Sequence, residues 1–200
     1  MNIVAIENEK YLIRPITESD KDDFMRIQQE NSTIAAVYEE GNFRDVFWEE
    51  SLKDGNDIYM MVFQKPGGKH IANCSVQGIQ NDKVSIGIDV DKAFQNKGIG
   101  TEVMILLLGY LQENARDKRL LIKTRSDNIP CRRMISKAGG IKIGEEPTPF
   151  DAFADSMLPT LQANGLTEEI ENNKAHMDRN KGVYVYVYEF ENVKKEGTHE

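Results

Sequence analysis

The sequence predicts an α+β fold: a mixed, mostly antiparallel sheet with helices on its faces and a helical insert before the last strand. Three observations carry that expectation. Strand-like runs joined by turn residues crowd residues 57–90; an apolar run at 99–114 then reads as a largely buried helix. An alternating run, Val183 to Phe190 (VYVYVYEF), arrives only after a long polar stretch.

Taken in order, Tyr11 to Pro15 alternates and stops at a proline, a first strand. Thr17-Glu-Ser-Asp then supplies caps for a helix from about Lys21. A polar and aromatic stretch from Tyr38 to Leu52 reads as a second helical segment before Asp57 to Gln64 (DIYMMVFQ) resumes strand character. Lys65-Pro-Gly-Gly-Lys is a hairpin turn. His70 to Gln77 and Val84 to Val90 continue an antiparallel meander, which makes Val84 to Val90 the fourth strand. Ile99 to Asn114 has long apolar side chains on more than one face, as a largely buried helix does. Arg119 to Thr124 is a further strand. Asn128-Ile-Pro130 starts a helix that Gly139-Gly140 stops, and Ile141 to Gly144 is a short strand. Helices are expected near Asp151 to Ala163 and Thr167 to His176, and the last ten residues read as frayed.

The length of 200 residues suits one domain, residues 1–200, with the insert at about 145–182. Hydrophobic residues at 40% and charged residues at 29% match a chain that packs a core. The longest strongly apolar stretch, Val103 to Leu111, is far short of the roughly 20 residues that span a bilayer, so no membrane partner is expected. Glu7 and Glu9 stand where a signal peptide carries basic charge, and two cysteines make no disulfide framework, so a reducing cytoplasm is expected. A net charge of -8 argues against a nucleic-acid surface and for a cationic partner. The insert is acidic, with eight acids against three bases from Glu145 to Lys181. That excess reads either as a solvated face or as a wall that attracts amines.

The chemistry concentrates in Val84 to Met104, VSIGIDVDKAFQNKGIGTEVM. A strand ends, a loop with glycines at 98 and 100 follows, and a helix begins at once. Glycine permits positive φ and close backbone approach, and a helix start presents unpaired N–H groups at the positive end of its dipole. Such a loop suits phosphate oxygens. A Walker A loop is excluded because Lys97 precedes the glycines and no GK[ST] opens the helix. A dinucleotide-binding loop is excluded because the third glycine and the βαβ unit with its acidic residue are missing.

Gln95-Asn-Lys-Gly98-Ile-Gly100 is similar to the Q/R-x-x-G-x-G/A signature that follows the fourth strand in the GNAT superfamily of acyl-CoA N-acetyltransferases. The flanking IGIDVDKAFQNKGIGTE also resembles that family. LIRPITESD looks like the branch of ribosomal-protein N-terminal acetyltransferases, and NIPCRRMISKAG, Asn128 to Gly139, matches a second family segment. The resemblance implies acetyl-CoA as cosubstrate, with Ile88, Val90 and the run Gln95, Asn96, Lys97, Gly98, Ile99, Gly100 and Thr101 on it. It also implies Asn128 against the pantetheine arm, and Arg132 or Arg133 near the nucleotide phosphates. The implied reaction is direct attack of a primary amine, of a protein or a small molecule, on the thioester. A strand amide polarises the oxyanion and an acid protonates the leaving thiolate.

Two usual catalytic groups of that family are missing. Ile135 stands where much of the family has its acid, a tyrosine, and Ser85 stands near its strand glutamate. Cys131 takes the position of a serine common in the ribosomal-protein branch and is the candidate acid, donating directly or through water; a helix start favours its thiolate, its ordinary pKa of about 8.5 is close to that of a thiol leaving group, and its alternative role is that of a small packed hydrophobe. For the base, Asp89, Glu39, Glu40 and Glu145 are candidates, with a water relay as the alternative. His176 lies in the acidic insert and reads as solvated unless it meets the acceptor. The three histidines show no metal-binding spacing. Phe43, Phe47 and Trp48 read as core or as an acceptor wall. Two further classes remain open: an acyl-CoA-binding module without catalysis, and an interaction protein using the acidic insert. The insert also reads as a lid or as a contact in a homodimer.

Overall fold

A computed structural model describes residues 3–32, 42–53, 55–148 and 183–191. The elements run β1 (Ile6–Glu7), β2 (Tyr11–Pro15), α1 (Lys21–Asn31), α2 (Phe43–Ser51), β3 (Asp57–Gln64), β4 (Lys69–Gln77), β5 (Lys83–Val90), α3 (Ile99–Asn114), β6 (Arg119–Arg125), α4 (Ile129–Lys137), β7 (Ile141–Glu146) and β8 (Val185–Phe190). The strands form one eight-stranded sheet in the order β1-β2-β3-β4-β5-β6-β8-β7. Every pairing is antiparallel except that of β5 with β6.

Strand alternation sends side chains to two faces, and each face builds its own core. On one face Met60, Val62, Ala72, Cys74, Val76, Val84 and Ile86 pack under α3, whose Ile99, Val103, Met104, Leu107 and Leu111 are buried. On the other, Phe24 and Met25 of α1 and Trp48 of α2 close over Met61. Phe24 is fully buried, with its ring centroid 5.8 Å from that of Trp48 and 6.1 Å from that of Tyr59. Its carbonyl accepts a hydrogen bond from the buried Asn73 side chain at 2.8 Å, and Asn73 in turn accepts from His70 Nε2 at 2.9 Å. The Asn73 amide and His70 Nε2 are thus paired, as burial favours, while His70 Nδ1 is buried without a partner among the described residues.

The turn from β2 into α1 follows the capping residues. Thr17 donates from both its backbone N–H and its hydroxyl to Asp20 Oδ2 at 2.7 Å, and the Arg14 guanidinium grips both Asp20 oxygens. Arg14 holds the Asp20 carboxyl at about 2, well below the usual carboxylate range.

The structure departs from the expected elements in four places. The two-residue strand β1 precedes the first expected one, so the strand leading to the glycine loop is the fifth. The second helical segment is described only from Phe43, with residues 33–41 outside the described residues. The last strand begins at Val185 because Tyr184 bonds Ser126 in the turn after β6, through N–H to Oγ at 3.0 Å and C=O from N–H at 2.7 Å. Strand β7 runs on to Glu146 against β8, with a register shift between Lys142 and Gly144. The helices expected near 151–163 and 167–176 lie outside the described residues. We expect Phe24→Ala to destabilise the protein by about 3–5 kcal/mol in urea unfolding, because it empties the centre of the α1–α2 core.

Candidate functional site

Strands β5 and β6 pair over only three residues, Lys83–Ser85 with Arg119–Leu121. Beyond that point β5 stays on β4 as far as Val90, and β6 stays on β8 as far as Arg125, so the two part and leave a cleft. The ladder fixes which backbone groups line it. The Asp91 N–H donates to the Ile71 carbonyl at 2.9 Å, in register with the Ala72 and Val90 pair. Hydrogen-bonded pairs alternate along an antiparallel ladder, so the odd residues of β5 face β4. Ile88 and Val90 therefore turn their N–H groups toward the cleft, where no strand receives them.

The chain then forms a short 3-10 turn, Lys92–Phe94, capped by Asp91 Oδ1 on the Ala93 N–H at 2.8 Å. Asn96 at φ 60 and Gly98 at φ 82 bend the next residues in the left-handed region, and Gly98 is the N-cap of α3. Glycine meets that conformation without a Cβ penalty. The N–H groups of Asn96, Lys97, Gly98, Ile99 and Gly100 have no acceptor among the described residues, whereas the Thr101 N–H already bonds the Gly98 carbonyl at 3.0 Å. Five consecutive free donors at a helix start make an anion cradle. Gly100 keeps the start of α3 close to its neighbours: a Cβ there would lie 3.0 Å from Met134 Sδ and 3.3 Å from Val90 Cγ2, so both side chains would have to give. Lys97 contributes backbone rather than charge, since its ammonium folds back onto the Ala93 carbonyl at 2.8 Å.

Two titratable groups flank this cleft and interact electrostatically. Asp89 is half-buried, makes no hydrogen bond or ion pair among the described residues, and burial pushes its carboxyl up to about 6. Cys131, in the first turn of α4, packs against the α3-side core and interacts electrostatically with Asp89. Burial pushes the Cys131 thiol up, Asp89 adds to that, and a hydrogen bond with Thr124 opposes it only in part. The helix-start argument for a thiolate at Cys131 is thus outweighed by desolvation. The site keeps a protonated thiol beside a carboxyl that ionises near neutrality.

The remaining expected residues sort as follows. Asn128 caps α4 by accepting the Cys131 N–H on Oδ1 at 3.1 Å. Arg132 donates to the Ser126 carbonyl at 2.8 Å and lies 5.0 Å from the Tyr186 ring centroid, so it orders the start of α4; Arg133 is exposed. Glu145 pairs with Lys142 at 2.8 Å on the outer strand β7. Glu39, Glu40 and His176 lie outside the described residues. Trp48 is core, and Phe43 and Phe47 pack against the same cluster. Among the described residues no group of three His, Cys, Asp or Glu side chains stands together as a metal site, and no helix is long and apolar enough to cross a membrane. Thr124 and Asn31, which touch Cys131 and Gln95, carry no signal in the sequence; their roles come from strand pairing and helix placement.

The profile described as acetyltransferase (GNAT) domain matches residues 10–141. No curated protein sequence matches the chain. Solved structures share its fold at low identity. A ribosomal-protein-S5-alanine acetyltransferase from Vibrio fischeri is 20% identical, with a TM-score of 0.57, and the match covers 73% of this chain and 87% of that one. A ribosomal L7/L12 alpha-N-protein acetyltransferase in complex with coenzyme A is 16% identical, with a TM-score of 0.62 over 72% and 88% of the two chains. A spermidine N-acetyltransferase chimera from Vibrio cholerae and hSSAT is 12% identical, with a TM-score of 0.64 over 89% and 95%.

The raised Asp89 carboxyl has a sign that unfolding reads. Between about pH 4 and pH 6 the native state holds this proton more tightly than the unfolded chain, so the group's contribution to stability falls as pH rises through that window and levels above it. We expect Asp89→Asn to gain stability relative to the native protein across the same window and to keep the gain at pH 7, measured by urea unfolding at each pH.

Proposed function

We propose that this chain, which belongs to the acetyltransferase (GNAT) domain family, transfers an acetyl group from acetyl-CoA to a primary amine by direct attack of the amine on the thioester. The observation that carries the reading is two sets of unpaired backbone donors, Ile88 and Val90 in the cleft and Asn96–Gly100 at the start of α3. An extended amide-bearing arm ending in a pyrophosphate has the shape and charge that such donors satisfy. The lack of side chains at Gly98 and Gly100 fits close approach of phosphate oxygens. Asn128, whose Oδ1 is committed to its cap, keeps its Nδ2 donor for the arm, and exposed Arg133 is the cation for the nucleotide end.

Acetyl-CoA supplies the reactive carbonyl, and the chain supplies the proton handling. Above about pH 6 the ionised Asp89 takes a proton from the incoming ammonium, directly or through one water, so that a neutral amine attacks. A β5 N–H polarises the carbonyl oxygen. Cys131 keeps its proton on Sγ at neutral pH because it is buried, and donates it to the departing thiolate, a group of similar ordinary pKa; the second proton that the nitrogen sheds as the amide forms reprotonates Sγ. The acceptor is an amine of a protein or of a small molecule, favoured in its cationic form by the net charge of -8. We place the enzyme in the cytoplasm.

A binding module without catalysis has one specific observation in its favour: Ile135, at the usual acid position, is fully buried in the core and has no chemistry to offer. Kinetics separates the two. In a thiol-release assay over an amine panel we expect kcat/KM to rise through about pH 6 and then level. Asp89→Asn should lower it by roughly 10²–10⁴-fold with acetyl-CoA affinity kept. Cys131→Ala should lower turnover by roughly 10-fold or more while Cys131→Ser retains part of it. Release of thiol from no amine in the panel, with acetyl-CoA still bound, would establish the binding module instead.

A further inference from the structure

Helix α1 reaches the cradle through its last residue. Asn31 donates from Nδ2 to the Ile27 carbonyl of its own helix at 2.9 Å and to the Val90 carbonyl at 3.3 Å. Its Oδ1 accepts from Gln95 Nε2 at 3.1 Å, and the same Gln95 nitrogen donates to the Val90 carbonyl at 2.9 Å. The end of α1 and the Val90–Gln95 stretch, far apart in sequence, thus close a ring of hydrogen bonds on one carbonyl. Arg26, one and a half turns earlier on α1, pairs with the buried Asp91 at 2.9 Å, and Asp91 caps the turn that leads to Gln95. The backbone entering Asn96 is therefore held from the α1 side at two points.

Gln95 is exposed and has a long, freely rotating side chain. Without a second partner its carboxamide holds one hydrogen bond at a substantial entropic cost. The Asn31 oxygen fixes the amide's orientation. The ring also decides what β5 offers the cleft: with two side-chain donors on its carbonyl, Val90 keeps only its N–H for a ligand, while Ile88 keeps both of its backbone groups. We propose that Asn31 is a positioning residue, which sets the backbone of the Gln95–Gly100 loop and the pairing pattern of β5 by orienting the Gln95 carboxamide. The inference rests on the reading of that loop as the coenzyme A cradle for its functional meaning, though not for its geometry.

Two measurements on Asn31→Ala, Asn31→Asp, Gln95→Ala and the Asn31→Ala, Gln95→Ala double variant test it, after circular dichroism confirms native helix content. In amide NMR spectra of the ligand-free protein, Asn31→Ala and Gln95→Ala are expected to move the same backbone resonances of residues 95–100. Asn31→Asp, which keeps the acceptor oxygen, should move them less. In calorimetric titration with coenzyme A, each alanine variant is expected to weaken binding by roughly 10-fold and the double variant by little more, because both remove one shared clamp. Unmoved 95–100 resonances in Asn31→Ala, or losses that multiply in the double variant, would overturn the proposal. A native protein that fails to bind coenzyme A would instead remove the cofactor reading and leave the spectra to decide the role of Asn31.

Discussion

Three residue pairs join β5 to β6, and then the strands part. The rest of the site depends on that parting. Each strand is fully occupied on its far side, β5 by β4 and β6 by β8, so neither needs the other for order. What they leave unpaired is the cleft edge of β5. Backbone donors inside a protein are costly to leave without an acceptor, so a fold that keeps such a row open is suited to a ligand that supplies the missing acceptors. Helices α3 and α4 meet where the cleft opens, and Gly100 lets the start of α3, with its own set of donors, approach Val90 and Met134 closely.

The same parting explains the chemistry of Asp89 and Cys131. Asp89 is carried on the strand that lines the cleft, and Cys131 on the helix that follows β6, so the two come from opposite walls. Neither finds a cationic partner among the described residues, and desolvation, the largest cause for each, moves both in the direction that favours their protonated forms. For a carboxyl that shift brings ionisation close to neutral pH, which suits a base; for a thiol it preserves the proton, which suits an acid. One physical cause thus underlies both of the roles proposed for these groups. Helix α1 completes the arrangement by holding the loop between the strand end and the cradle.

Much of this was legible in the residues. The alternation of β3, β4 and β5, the long apolar helix α3 and the capping residues before α1 and α4 are local signals, and local signals survive translation into structure. The glycine loop was legible because strand, Gly98, Gly100 and helix are contiguous. The cleft was not, since the length of a strand pairing depends on partners distant in sequence, here β8 and β4. Four carboxylates stood equal as candidate bases until burial distinguished Asp89 from the ion-paired Glu145. The helix-start position of Cys131 is written in the sequence, whereas the packing that raises its thiol is not. The two-residue strand β1 is too short for any period to reveal.

The most direct test is calorimetric titration of acetyl-CoA into the native protein and into a Gly98→Trp, Gly100→Trp double variant. Saturable binding by the native chain alone is expected, because two indole side chains would fill the space in front of the free N–H groups and strain the Gly98 turn. Equal binding by both proteins, or by neither, would contradict the assignment of this loop as the phosphate cradle.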